Sequence, residues 1–175
     1  MMMKKLFFLL TVFSFSSFAS LNMTIDDVKS AQEAWGNGIV HIGKVYQEGG
    51  DYRQAALDHI LNSYDYNDGV VLFKPTLASK IPFRPTVKGA LSYFVGGDPD
   101  FAEDGGFAIK PWTNVRFDNH NIIVYGSKGI AMGHYYFTTL AGDEVKVEYT
   151  LGFIKRGDEV KITIQDSSLP YAPVR

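Results

Sequence analysis

The sequence predicts an α+β domain in which N-terminal helices pack on a strongly curved antiparallel sheet. Three observations carry this. Apolar residues recur at helical spacing as far as Tyr64; after Val70 the pattern changes to short β-branched and aromatic runs broken by Gly, Pro and Asp; and Gly-Asp turns separate the last of these runs.

The chain opens Met1-Met2-Met3-Lys4-Lys5, followed by an apolar run from Leu6 to Phe15 and the small-residue stretch Ser16-Ser17-Phe18-Ala19-Ser20. A charged start, an apolar middle and a small-residue exit are the parts of a secretory signal, with cleavage expected after Ala19. The apolar run is about ten residues, against the roughly 20 that a spanning helix needs. The expected organisation is therefore a signal peptide over 1–19 and one domain over 20–175, periplasmic or secreted and free of the membrane after cleavage.

Thr24 followed by Asp27 resembles a helix-opening box, and Val28, Ala31, Ala34, Trp35, Ile39, Ile42 and Val45 continue at helical spacing. Gly36 and Gly38 interrupt that helix, which implies a bend or close packing. Gly49-Gly50 ends it, and Asp51 caps a second helix carrying Ala55, Ala56, Ile60, Leu61 and Tyr64, so two antiparallel helices joined by a tight turn are expected. The strand-like runs are Val70–Phe73, Gly89–Val95, Val115–Phe117, Ile122–Tyr125, Ile130–Thr139, Val145–Phe153 and Val160–Gln165. The turns Ala141-Gly142-Asp143 and Arg156-Gly157-Asp158 make the last three an antiparallel meander. The acidic stretch from Gly96 to Gly106 lacks the alternation of a calcium-binding loop and reads as a solvated turn.

With 17 Lys and Arg against 19 Asp and Glu the formal charge is −2, and removing residues 1–19 takes away Lys4 and Lys5 and leaves −4. A mildly acidic domain has no electrostatic reason to seek nucleic acid or anionic lipid. The absence of cysteine excludes thiolate metal sites, a cysteine nucleophile and disulfides. His41 and His59 lie on the helices without an i+3 or i+4 partner, His120 falls in the expected turn Asp118–Asn121, and His134 stands alone in a strand, so no metal site emerges.

Helices across a bent sheet enclose a cone, and polar side chains inside an apolar cone are the natural site candidates. Thr76 either bonds its own backbone or offers its hydroxyl to a small oxygenated ligand. Tyr93, beside Ser92 on an expected strand, is either a satisfied core phenol or a ligand contact. Asp166 and Ser168 are two apart and share one face of a strand, giving a carboxylate and a hydroxyl that either meet solvent or work together.

The blocks Val71-Leu72-Phe73-Lys74-Pro75-Thr76, Pro82-Phe83-Arg84-Pro85-Thr86, Gly89–Gly97 and Glu103–Trp112, continued by Ala131–Tyr135, Val147–Thr150 and Ser167–Pro170, resemble the iota-class carbonic anhydrases over nearly the whole chain beyond residue 20. The resemblance implies a fold like the association domain of calcium/calmodulin-dependent protein kinase II, in the nuclear-transport-factor-2-like group, and a homodimer. It also implies reversible hydration of carbon dioxide to bicarbonate. Members are described with and without metal, so no cofactor is the first expectation and zinc or manganese stays open. The threonine, tyrosine, histidine and serine that surround bicarbonate in the family are mapped to Thr76, Tyr93, Asp166 and Ser168. The family's His-His-Ser-Ser is Gln165-Asp166-Ser167-Ser168 here, so a role needing imidazole does not carry over. Asp166 could replace it as a base only if burial raised its pKa far above the ordinary value of roughly 3.9. The alternative is a non-catalytic small-ligand or oligomerisation module of the same fold.

Overall fold

A computed structural model describes residues 22–173, so the expected signal segment and its cleavage point lie outside the described residues. The first helix, α1, spans Ile25–Gln47. Its capping box forms as expected: Asp27 N–H donates to the Thr24 hydroxyl at 3.0 Å and Thr24 N–H to the Asp27 carboxylate at 2.8 Å. Val28, Trp35, Ile39 and Ile42 form its buried face. Gly36 and Gly38 are close-approach points within one continuous helix: a Cβ at Gly38 would lie 2.1 Å from the His59 ring, and one at Gly36 3.1 Å from Val115. Helix α2, Tyr52–Ser63, starts at Asp51, whose carboxylate accepts from Gln54 N–H at 3.0 Å.

Strand β1 is Leu72–Lys74 and the third helix, α3, is Val87–Val95. The expected strand over Gly89–Val95 is thus corrected to a helix. The run is apolar nearly all round, and such a run cannot be assigned to strand or helix by periodicity. The deciding signals are local: the Thr86 hydroxyl accepts from Gly89 N–H at 3.2 Å, and Gly96 ends the helix at φ 68°. Ser92 and Tyr93 are consequently both buried, where strand alternation would have sent one of them outward.

The remaining strands are β2 (Asn114–Tyr125), β3 (Lys128–Thr138), β4 (Glu144–Arg156) and β5 (Glu159–Ser168). The sheet order is β1-β5-β4-β3-β2, with β1 parallel to β5 and every other pair antiparallel, so the meander holds and one short parallel strand is added at its edge. The expected turn at Asp118–Asn121 is instead a bulge inside one continuous β2, with the register shifting between Asn119 and Asn121. Gly133 opposite accommodates it, because a Cβ there would lie 2.2 Å from the Asp118 carbonyl.

A second shift, between Gly152 and Phe153, governs everything that follows. Gly152 pairs with Ile164 but Phe153 pairs with Ile162, so β5 carries one extra residue at that point. An extra residue reverses the in–out alternation. Ile162 faces the core, and after the bulge Gln165 and Ser167 face it, while Ile164, Asp166 and Ser168 turn outward.

The acidic loop is also more than a solvated turn. The Glu103 carboxylate accepts the backbone N–H groups of Ser79, Lys80 and Ile81 at 2.8–3.0 Å, which holds its pKa down at about 2. Asp104 is fully buried, paired with the fully buried Arg84 at 2.8 Å and accepting from the Ser92 hydroxyl at 2.7 Å. Together they bind the 79–84 segment and α3 into one wall of the cone.

Candidate functional site

The cone is lined by aromatic rings contributed by every layer. Trp35 of α1 stacks on Tyr135 of β3 with centroids 5.8 Å apart, Tyr135 stacks on Tyr149 of β4 at 5.1 Å, and Tyr93 of α3 stacks on Phe107 at 5.6 Å. At its closed end lies a chamber of about 10 Å³, room for roughly one water. Its polar lining is Thr76, Tyr93, Tyr135, Gln165 and Ser167, set among Trp35, Phe73, Phe94 and Phe107.

Two hydrogen-bonded groups meet in this lining. The Trp35 indole N–H donates to the Tyr64 hydroxyl at 2.9 Å, and Tyr64 in turn donates to Gln165 Oε1. The Tyr135 hydroxyl bonds to Ser167 Oγ, and the Gln165 and Thr76 side chains line the same chamber. Thr76 and Tyr93 lie side by side in that lining. Burial pushes the phenols of Tyr64, Tyr93 and Tyr135 upward, so all three are protonated at neutral pH and act as hydroxyls, never as phenolates. No ionisable carboxylate, ammonium or imidazole lines the chamber.

Thr76, Tyr93 and Phe107 also line a second cavity of about 110 Å³, whose walls include Leu77, Trp112, Phe137, Val147 and Leu169, with Lys110 as its one charged lining residue. An apolar vestibule therefore meets the polar chamber at the Thr76–Tyr93 pair.

The structure brings Thr76 and Tyr93 together and separates both from Asp166 and Ser168. The latter two do share a face, as their spacing requires, but it is the outer one. They line an open groove of about 520 Å³ with His120, His134 and Glu148. The Asp166 side chain is 60% exposed and paired with Lys74 at 2.8 Å, so the burial that a base role demanded is absent. The cone residues not singled out from sequence are Tyr64, Tyr135, Gln165 and Ser167. Tyr135 had a visible signal, since it alternates with Ala131, Gly133 and Phe137 on the buried face of β3. Gln165 and Ser167 had none, because the bulge that turns them inward follows from pairing with β4. Among the described residues no group of three His, Cys, Asp or Glu side chains is placed to hold a metal.

The model of the metal-independent carbonic anhydrase family matches residues 26–169. A metal-independent carbonic anhydrase from a Nostoc species is 40% identical over 153 residues, spanning 85% of this chain and 75% of the relative. The crystal structure of a cyanobacterial iota-carbonic anhydrase complexed with bicarbonate superposes with a TM-score of 0.87 at 38% identity, covering 90% of this chain and 99% of that one. A putative calcium/calmodulin-dependent protein kinase II association domain from Xanthomonas campestris superposes with a TM-score of 0.55 at 19% identity, over 92% of this chain and 100% of that one. The last likeness speaks to the fold, which is the nuclear-transport-factor-2-like cone expected from the sequence.

Proposed function

The chain belongs to the metal-independent carbonic anhydrases, the iota class, and from that premise we propose that it hydrates carbon dioxide reversibly to bicarbonate in the cone, without a resident metal. The observation that carries the reading is the junction of an apolar vestibule with a neutral hydroxyl–amide chamber at Thr76 and Tyr93. The vestibule suits apolar carbon dioxide, and the chamber has room for the one water that must attack it.

Two assignments inherited from the sequence change in this proposal. Ser167 and Gln165 take the places given to Ser168 and Asp166, and Tyr135 joins them. The water oxygen attacks the carbon while one of its protons passes to a hydroxyl of the Ser167, Tyr135 and Thr76 set. That hydroxyl passes its own proton to a carbon dioxide oxygen, and the resulting carbonic acid ionises on release. The set is suited to this because each hydroxyl both accepts and donates, and because donors already fixed in an apolar setting need no reorganisation when charge develops. Stopped-flow hydration by chelated protein beginning at Ser20 tests the reading: a rate above buffer supports it, and none by folded protein overturns it.

Gln165 favours a second reading. An amide is not a base, so the same chamber could hold a small oxyanion without turning it over, and bicarbonate binding without hydration would support that alternative. The charged-apolar-small pattern of residues 1–20 supports export to a periplasm or the medium. A homodimer is supported by an outward apolar row in register across the sheet, Leu72–Ile164–Gly152–Ile130–Ile123. Light scattering at micromolar concentration distinguishes dimer from monomer.

A further inference from the structure

The hydrogen bonds that reach Gln165 run in one direction only. The Trp35 indole N–H is a donor with no acceptor capacity, so the Tyr64 oxygen must accept from it. Tyr64 then has a single proton, which it donates to Gln165 Oε1. Tyr64 is 1% exposed and Gln165 3%, so no solvent competes for either group. With its oxygen turned to Tyr64, the Gln165 amide has its NH₂ left for the chamber side, whose lining it shares with the Tyr135 and Ser167 hydroxyls. That order follows from the chemistry of the indole, which can only donate.

We propose that Trp35 and Tyr64 are positioning residues that lock Gln165 as a hydrogen-bond donor toward the chamber. A small planar oxyanion such as bicarbonate, seated in the vestibule with one oxygen directed into the chamber, is thereby met by N–H and O–H groups. The inference rests on the cone being the bicarbonate site and explains how that site works without imidazole. A neutral histidine at position 165 would meet the same Tyr64 proton with its near ring nitrogen and present its far N–H to the chamber. A carboxamide reproduces that polarity, acceptor toward Tyr64 and donor toward the ligand. A carboxylate of the same size would satisfy Tyr64 and present only lone pairs.

The test is bicarbonate titration of the full domain by ¹⁵N and ¹³C NMR with four single variants and one double variant. Gln165→His keeps the affinity within about threefold. Gln165→Glu and Gln165→Leu lower it at least tenfold, and Tyr64→Phe about fivefold, in line with one hydrogen bond of about 1 kcal/mol. The Tyr64→Phe effect disappears when Gln165 is already leucine, because Tyr64 acts only through Gln165. Affinities of Gln165→Glu and Tyr64→Phe within twofold of the parent, or a Tyr64→Phe effect that persists beside leucine, would overturn the proposal.

A readout without ligand separates this inference from the reading beneath it. The Gln165 side-chain amide signals, identified by their loss in Gln165→Leu, exchange slowly with solvent in the parent and quickly in Tyr64→Phe. Slow exchange with no bicarbonate-induced shift anywhere in the cone would leave the lock standing and remove the bicarbonate site. Fast exchange in the parent protein would remove the lock itself.

Discussion

The two faces of β5 carry adjacent residues of one tetrapeptide into opposite environments. Asp166 and Ser168 open onto a groove of about 520 Å³ beside His120, His134 and Glu148, and Gln165 and Ser167 close a chamber of about 10 Å³ lined by no carboxylate, ammonium or imidazole. By size and charge the outer groove is the more conspicuous. By physical chemistry the inner chamber is the stronger candidate, since a hydrogen bond in a desolvated site is worth more than the same bond beside water. Hydration of a neutral, apolar molecule gains from fixed dipoles in an enclosed chamber and little from an exposed carboxylate already paired with lysine.

The contrast extends to ion pairs, where the largest effect is expected. Arg84–Asp104 is fully buried and Lys74–Asp166 is not. Asp104→Ala leaves the buried Arg84 guanidinium with Glu103, at 4.0 Å, as its remaining carboxylate and should lower stability by about 3 kcal/mol in urea unfolding. Next comes Tyr135→Phe, which removes the hydroxyl at the centre of the chamber and should reduce the hydration rate about 100-fold with little change in fold.

The third effect concerns His59, buried beside Trp35 and Phe94 with its pKa driven down to about 4 by desolvation. The unfolded chain binds this proton near pH 6.5 and the folded one only near 4, so stability is complete above about 6.5 and declines as pH falls through that window. A melting temperature lower at pH 5 than at pH 7 by roughly 5 °C is expected, with the difference reduced in His59→Phe. The smallest effect belongs to the outer face: Asp166→Asn should change stability by no more than about 0.5 kcal/mol and the rate by less than twofold. A large rate loss in that variant would reverse the comparison.

Much of this was legible in the sequence. The Thr24–Asp27 box, the Asp51 cap and the two Gly-Asp hairpins are local features whose chemistry is complete within a few residues, and each appears where expected. Thr76 and Tyr93, read as cone residues, do line it, though Tyr93 reaches it from a helix. What was not legible depends on pairing partners far along the chain. The alternation Ile162, Ile164, Asp166, Ser168 reads naturally as one inward face, and nothing in those residues announces the extra one that Gly152 of β4 accommodates. Gly152 makes room for the shift, since a Cβ there would crowd Ile164 at 3.0 Å. One bulge set by a neighbouring strand moved half of the candidate site to the other side of the sheet.

The most direct test compares Ser167→Ala with Ser168→Ala in stopped-flow carbon dioxide hydration by metal-stripped protein. Ser167→Ala is expected to lower kcat/KM by about 100-fold while Ser168→Ala stays within twofold of the parent. The reverse pattern, with loss in Ser168→Ala and an unaffected Ser167→Ala, would contradict it and move the chemistry to the outer groove.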